Sequence, residues 1–224
     1  AIWGWEFGNE YNLAVDLPNA SKHRPPVHPR LKTATGRTER DELSSKHMLR
    51  AFNEFARTVR RFDPHRIIIT GNALPRPSAY HNTHERSWTP DTPEQCEEIL
   101  RRDNPDPFNT ISIHVHPRKD GSYPAQANDL DTLIETMQAV ADRADKPLFV
   151  GEFGAPVESN GGREREVFKE LLTAIETHEV PLSALWVFDF PHQDKVWNVT
   201  FENDRAWMLA LVSEANARMR SNNR

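Results

Sequence analysis

Two apolar runs that lie far apart in the sequence each end on a glutamate. The run "AIWGWEFGNE" ends on Glu10, and "PLFVGEFGAP" carries Glu152. Two carboxyl groups that face each other can cleave a glycosidic bond, because one protonates the leaving oxygen while the other attacks the sugar or activates water. A separation of about 5–5.5 Å gives retention of configuration, and about 6.5–9.5 Å gives inversion.

The elements that carry these residues are predicted to alternate between strand and helix. Short apolar runs predict strands over residues 2–7, 66–70, 110–115, 148–151 and 184–188. Amphipathic stretches predict helices over about 39–62, from the Thr92 N-cap with Pro93 and Gln95 onward, around 130–141 and 167–175, and from about 205. This alternation favours parallel βαβ units.

The parallel arrangement would place both glutamates at one rim. Glu10 follows the first predicted strand and Glu152 follows the fourth, and equivalent ends of parallel strands lie at the same edge of a sheet. The loop-like stretches 12–37 and 73–90 also follow strands and are expected at that rim. The opposite interpretation is that each glutamate is a solvated residue at the rim or a residue that caps a helix.

Composition limits the classes of protein that need to be considered. The 224 residues, with 37% hydrophobic and 27% charged, fit one domain spanning residues 1–224. A net charge of -5 gives no electrostatic reason to expect a nucleic-acid partner. No apolar run approaches the roughly 20 residues of a membrane span, so no membrane partner is expected. The single cysteine, Cys96, is interpreted as structural.

The motifs around the two glutamates resemble a known enzyme family. "WEFGNE" and "VGEFG" resemble the fourth- and seventh-strand signatures of clan A glycoside hydrolases, which are retaining (β/α)8 barrels, and most of all the cellulase and mannanase group called family 5. The resemblance implies a hydrolase of β-linked glycans such as cellulose or mannan, with no cofactor and no metal. It implies that Glu10 is the general acid/base, that Glu152 is the nucleophile, and that Asn9 binds the 2-hydroxyl of the sugar.

Two further strand ends fit the same resemblance. "ISIHVHP" is similar to the sixth strand, where His114 matches the family's histidine. His116 stands where the family has a tyrosine that orients the nucleophile, which is a departure from the pattern. "ALWVFDF" is similar to the eighth strand, so Trp186 is expected to form the floor under the sugar ring. Other aromatic residues that could line sugar subsites are Tyr80, Trp88 and Trp197.

The resemblance begins at the family's fourth strand, which implies a partial, truncated TIM barrel. About five parallel βα units, strands 4–8, are expected, without the first three units and their third-strand arginine and histidine. The strand over residues 2–7 would then lack a neighbour and expose apolar side chains. The open side could be completed by the other half of a longer protein, covered by loops of a natural short form, or buried by association of two copies. Of these we expect self-association across the open side, and an activity weakened by the truncation.

Two other interpretations of the same residues stay open. A glycosidase barrel that has lost part of its site could survive as a non-catalytic remnant that binds carbohydrate or a partner chain. A metal-dependent hydrolase is the other, since His114 and His116 project from one face of a strand at a spacing that can bind zinc, and Asp189 follows a later strand.

Overall fold

The computed structural model describes residues 2–19, 30, 42–118, 120–157 and 162–222. Its strands are β1 (Gly4–Glu6), β2 (Ile67–Ile69), β3 (Ile111–Val115), β4 (Leu148–Phe153) and β5 (Leu182–Leu185). Its helices are α1 (Ser45–Phe62), α2 (Ala79–Glu85), α3 (Pro93–Asp103), α4 (Leu130–Arg143), α5 (Glu164–Thr177) and α6 (Ala206–Asn222). The predicted α/β order is therefore confirmed. Residues 39–41 of the first predicted helix, and most of the predicted loop 12–37, lie outside the described residues.

All strand pairs described are parallel, and their order follows the chain. β1 pairs with β2, and β3, β4 and β5 form a second sheet in that order. Asn109 links the two sheets, because its backbone N–H donates to the Ile68 carbonyl at 2.9 Å and its side-chain oxygen accepts from the Ile68 N–H at 2.8 Å. The result is an α/β fold with parallel sheets that resembles part of a TIM barrel.

The outer faces of the strands are covered by helices. Ile113 of β3 and Val150 of β4 are fully buried in a core that also contains Met137 of α4 and Phe168 of α5. Each such side chain contributes roughly 1.5–3 kcal/mol when it leaves water. A smaller cluster joins β1 to α1 through the aromatic residues Phe7, Phe52, Phe55 and Phe108. These two cores fix where the carboxyl ends of the strands lie.

Capping boxes set the starts of two helices: α3 begins after the predicted Thr92 N-cap, whereas α1 begins at Ser45 and not near residue 39 as predicted. At α3 the Thr92 hydroxyl accepts from the Gln95 N–H at 3.3 Å, and the Gln95 side chain accepts from the Thr92 N–H at 2.8 Å. Ser44 and His47 form an equivalent capping box at α1. An N-cap of this type stabilises a helix by about 1 kcal/mol.

The prediction of a loop over residues 73–90 is wrong in part, because α2 lies within it. Its sequence has no apolar stripe, and the helix depends on a distant acid instead. The carboxylate of Asp91 accepts from the backbone N–H groups of Tyr80 at 2.8 Å and His81 at 3.2 Å. An aspartate that follows the helix in sequence thus binds its first turn, a contact that periodicity cannot reveal.

The last strand also differs from its predicted bounds of 184–188. β5 ends at Leu185, and the chain then pairs with a later segment. The Val199 N–H donates to the Val187 carbonyl at 2.9 Å, and the Asp189 N–H donates to the Val199 carbonyl at 3.0 Å. Because of this second pairing, the chain leaves the sheet of β3, β4 and β5 directly after Trp186.

An aspartate at the end of α1 fixes the first strand. The Trp5 indole N–H and the Arg66 guanidinium each donate to Asp63 at 2.8 Å. The hydrogen bond from Trp5, followed by those from Arg66, holds the pKa of Asp63 well below its usual range.

Cys96 is buried, and burial raises its pKa to about 12, as expected of a structural cysteine. No helix among the described residues is long and apolar enough to cross a membrane.

Candidate active site

A β-bulge directs the side chain of Glu152 toward β3. In the ladder between β3 and β4, Ile113 is opposite Val150 and His114 is opposite Glu152, so Gly151 is an extra residue. A Cβ added at Gly151 would lie 3.0 Å from Nε2 of His114, so glycine allows the imidazole to lie against β4. The sequence predicted that Glu152 lies just past the end of its strand. This is wrong, because β4 continues to Phe153 and Glu152 lies within it.

Glu10 is held by a close contact between two loops. Its backbone N–H donates to the carbonyl of Gly71 at 2.8 Å, and its own backbone is left-handed, with φ 56°. Gly71 also has a positive φ of 72°, and a Cβ there would collide with the carbonyl oxygen of Gly8 and lie 2.9 Å from Cδ of Glu6. The loop that carries Asn9 and Glu10 therefore rests directly on the end of β2.

Glu10, Glu152 and His114 meet at one point. Nδ1 of His114 lies 3.0 Å from Oε1 of Glu10 and 3.4 Å from Oε1 of Glu152. One oxygen of each carboxylate and one ring nitrogen of His114 all lie within 4.8 Å of one another. His114 and Glu152 are buried, and the side chain of Glu10 is 30% exposed. The cluster thus opens to solvent on the Glu10 side.

The second oxygen of Glu152 contacts another imidazole. Nε2 of His116 lies 3.2 Å from Oε2 of Glu152, and the His116 ring packs edge-on against Trp197, with 4.9 Å between ring centroids. Nδ1 of His116 is buried and has no hydrogen-bond partner among the described residues. His116 therefore contacts Glu152 at the position where the family resemblance expects a tyrosine.

The surroundings shift the pKa values of two carboxyl groups at the site in opposite directions. The hydrogen bond from His114 lowers the pKa of Glu10, and the charges of His114 and His116 act in the same direction, against desolvation. Glu6 is different, because desolvation raises its pKa and the negative charge of Glu152 raises it further, against the effect of His114. The cluster therefore shifts the pKa values of Glu10 and Glu6 in opposite directions, down for Glu10 and up for Glu6.

Glu6 was not identified from the sequence as a functional residue, although strand alternation could have indicated it. Trp5 bonds to Asp63 and Phe7 packs on the aromatic residues of α1, so both face the helix layer. Glu6 lies between them and must point to the opposite face of β1, the face that Glu152 occupies on β4.

Four further residues were predicted from the sequence to bind the sugar, and their surroundings differ. Asn9 is exposed beside Glu10. The indole N–H of Trp186 donates to the side-chain oxygen of Gln193 at 2.9 Å, and this contact fixes the ring where the chain leaves β5. Tyr80 packs on His84 in α2, with 4.3 Å between ring centroids, and Trp88 is half exposed. The structure therefore joins Glu10, His114, His116 and Glu152, and Trp197 packs against this cluster through His116.

Sequence comparison finds no relative for the chain. No protein-family model matches it, and no curated protein matches its sequence.

Comparison of the fold does find similar structures. The chain is similar to an endo-1,4-β-D-mannanase from Thermotoga petrophila, with a TM-score of 0.52, 11% identity, and coverage of 77% of this chain and 52% of that one. An endo-1,4-β-mannanase from Rhizomucor miehei gives a TM-score of 0.53 and 13% identity, over 80% of this chain and 47% of that one. A variant of a glycoside hydrolase family 5 mannosidase from the same organism gives 0.50 and 11%, over 81% and 50%.

These similarities define the class of fold. The chain spans about half the length of the solved structures it matches. At identities this low the comparison concerns the backbone, and it shows a glycosidase-like α/β fold that resembles part of a TIM barrel.

Proposed function

We propose that the protein is a retaining glycoside hydrolase that acts on β-linked glycans. One observation carries the proposal, which is that Glu10 and Glu152 approach to within 4.8 Å of each other, measured between one oxygen of each carboxylate. This short approach is closer to the separation of about 5–5.5 Å used by retaining enzymes than to the separation of about 6.5–9.5 Å used by inverting enzymes.

In the first step of the proposed reaction, Glu152 acts as the nucleophile. Its carboxylate oxygen forms a bond to the anomeric carbon while the bond from that carbon to the leaving oxygen breaks, and Glu10 gives its proton to the leaving oxygen. His116 and His114 each contact one oxygen of Glu152, which restricts its rotation before attack. Asn9 is proposed to bind the sugar's 2-hydroxyl, and Trp186 to lie under the ring.

In the second step Glu10 acts as a base. It takes a proton from water, the water oxygen attacks the anomeric carbon, and Glu152 is released as a carboxylate. The low pKa of Glu10 suits the ionised state that activates the water after the first step, but it opposes the proton donation that the first step needs. We therefore expect substrates whose leaving groups need little protonation to react fastest.

The positions of the two glutamates, the similar structures and the exposed residues beside β1 each support a more specific proposal. We propose membership of family 5, with the described strands as strands 4–8 of its barrel, supported by Glu10 following β1 and Glu152 lying in β4. A mannan-type substrate is proposed because the similar structures include two endo-β-mannanases. Self-association at the open side is proposed because Ile2 and Trp3 are 50% and 57% exposed beside β1.

The stereochemistry of hydrolysis tests the proposal. With a 2,4-dinitrophenyl β-mannoside or β-glucoside, whose leaving group needs little protonation, proton NMR of the first product is expected to show the β-anomer before mutarotation. An initial α-anomer would contradict the double displacement. Binding of mannan oligosaccharides without any hydrolysis would instead favour a non-catalytic carbohydrate-binding protein.

A further inference from the structure

The cluster of Glu10, His114 and Glu152 carries negative charge that no fixed cation balances. Among the described residues, the ion pairs within 4.0 Å of Glu10 come from His114 and those of Glu152 come from His114 and His116, and none comes from a lysine or an arginine. The carboxylates of Glu10 and Glu152 face each other at short range, with one oxygen of each within 4.8 Å of the other. Such a site attracts a compact divalent cation.

The spacing of the three donor atoms fits a small ion. Zinc binds imidazole nitrogen at about 2.0–2.1 Å and carboxylate oxygen at about 2.0–2.2 Å, so its tetrahedral ligands lie about 3.3–3.5 Å apart. The donor pairs that His114 makes with Glu10 and Glu152 measure 3.0 and 3.4 Å, and the third pair lies within 4.8 Å. Small rotations of the Glu10 side chain would complete the geometry.

Strand pairing and burial hold the proposed ligands in place. His114 and Glu152 are opposite each other in the parallel ladder of β3 and β4, and both side chains are almost fully buried. The other oxygen of Glu152 is contacted by Nε2 of His116, which would hold the carboxylate in place as an outer contact. The fourth position would face solvent, since Glu10 is partly exposed.

We propose that Glu10, His114 and Glu152 form a site for one Zn²⁺ ion, with the fourth position open to water. The mixed donor set selects zinc over magnesium or calcium, which prefer oxygen ligands alone. Zinc replaces the hydrogen that His114 shares with Glu10, because imidazole binds a metal only through an unprotonated nitrogen.

The site has a regulatory consequence that rests on the proposed function. An ion that binds both carboxylates prevents Glu10 from transferring a proton and Glu152 from attacking the anomeric carbon. Zinc and the glycan then compete for the same residues, and zinc inhibits hydrolysis reversibly.

Calorimetric titration of the intact, tag-free chain with Zn²⁺ tests the site without any glycan. One ion per chain is expected, and Co²⁺ in its place should give the strong visible absorption of a four-coordinate complex. Glu10→Gln and His114→Gln are each expected to weaken the binding of Zn²⁺ by at least about 100-fold. His178→Ala provides the control, because His178 and Asp131 form another imidazole–carboxylate pair at 3.0 Å, outside this cluster.

The outcomes separate this proposal from the proposed function. Loss of zinc binding in Glu10→Gln and His114→Gln, with a change of less than about twofold in His178→Ala, supports the site even if the chain hydrolyses no glycan. Absence of stoichiometric binding by the unaltered chain would overturn it, and so would equal affinity in all three variants. Circular dichroism of each variant ensures that loss of binding is not loss of the fold.

Discussion

Glu152→Gln is expected to lower the turnover of a dinitrophenyl β-glycoside by about a thousandfold or more, because the neutral amide cannot form the glycosyl ester. The substitution keeps the volume of the side chain and its place opposite His114 in β4. Thermal stability should therefore change little, and the loss should appear in kcat. Steady-state kinetics with the same substrate measure the effect.

Glu135→Gln is the matched control for this prediction. Glu135 lies on the exposed face of α4, away from the cluster, and it has no ion pair among the described residues. Its replacement should leave turnover unchanged. If Glu152→Gln retained the activity of the Glu135→Gln variant, Glu152 could not be the nucleophile.

Small nucleophiles distinguish the two roles. In Glu152→Ala the space left by the side chain admits azide, which would attack the anomeric carbon directly and give an α-glycosyl azide by a single inversion. In Glu10→Ala the glycosyl ester on Glu152 still forms, and azide would displace it to give the β-glycosyl azide. The opposite pairing of products would show that the roles of Glu10 and Glu152 are exchanged.

Gly71→Ala is expected to disturb both stability and the site. The positive φ of Gly71 costs an alanine about 1–2 kcal/mol. The new methyl group would also meet the carbonyl of Gly8 and the side chain of Glu6, which adds about 1–3 kcal/mol of overpacking. We expect a loss of about 2–5 kcal/mol in the free energy of unfolding. Turnover should fall by more than the loss of folded protein explains, because the new methyl group displaces the loop that carries Glu10.

Gly162→Ala separates strain from contact. Gly162 also has a positive φ, of 85°, but a Cβ there would meet nothing within 4 Å. Urea unfolding of this variant should show only the cost of the backbone conformation, about 1–2 kcal/mol, with unchanged turnover. Equal effects of the two substitutions on stability and turnover would mean that the contact between Gly71 and Gly8 does not position Glu10.

Local features of the fold could be predicted from the sequence, and features that depend on distant contacts could not. The capping box at Thr92 and Gln95 and the apolar stripe of α4 are local patterns, and both occur as predicted. By contrast, α2 depends on Asp91, which lies beyond the end of that helix. The end of β5 depends on pairing with Val199, which no local pattern specifies.

The candidate site shows the same division. Parallel strand order was sufficient to predict that Glu10 and Glu152 lie at one rim. The bulge at Gly151, which makes His114 the direct neighbour of Glu152, arises from the register between two strands and leaves no local signal. The contact between Gly71 and Gly8 likewise joins two loops that are remote in sequence.

Trapping the glycosyl ester tests the central claim most directly. A 2-deoxy-2-fluoro β-glycoside with a dinitrophenolate leaving group should react once and then stop, since fluorine destabilises the cationic transition state of hydrolysis while the leaving group keeps the first step fast. Mass spectrometry of the digested protein is expected to find the fluorosugar on Glu152. Label on Glu10 or Glu6, or an unlabelled protein that still hydrolyses the non-fluorinated glycoside, would contradict the account.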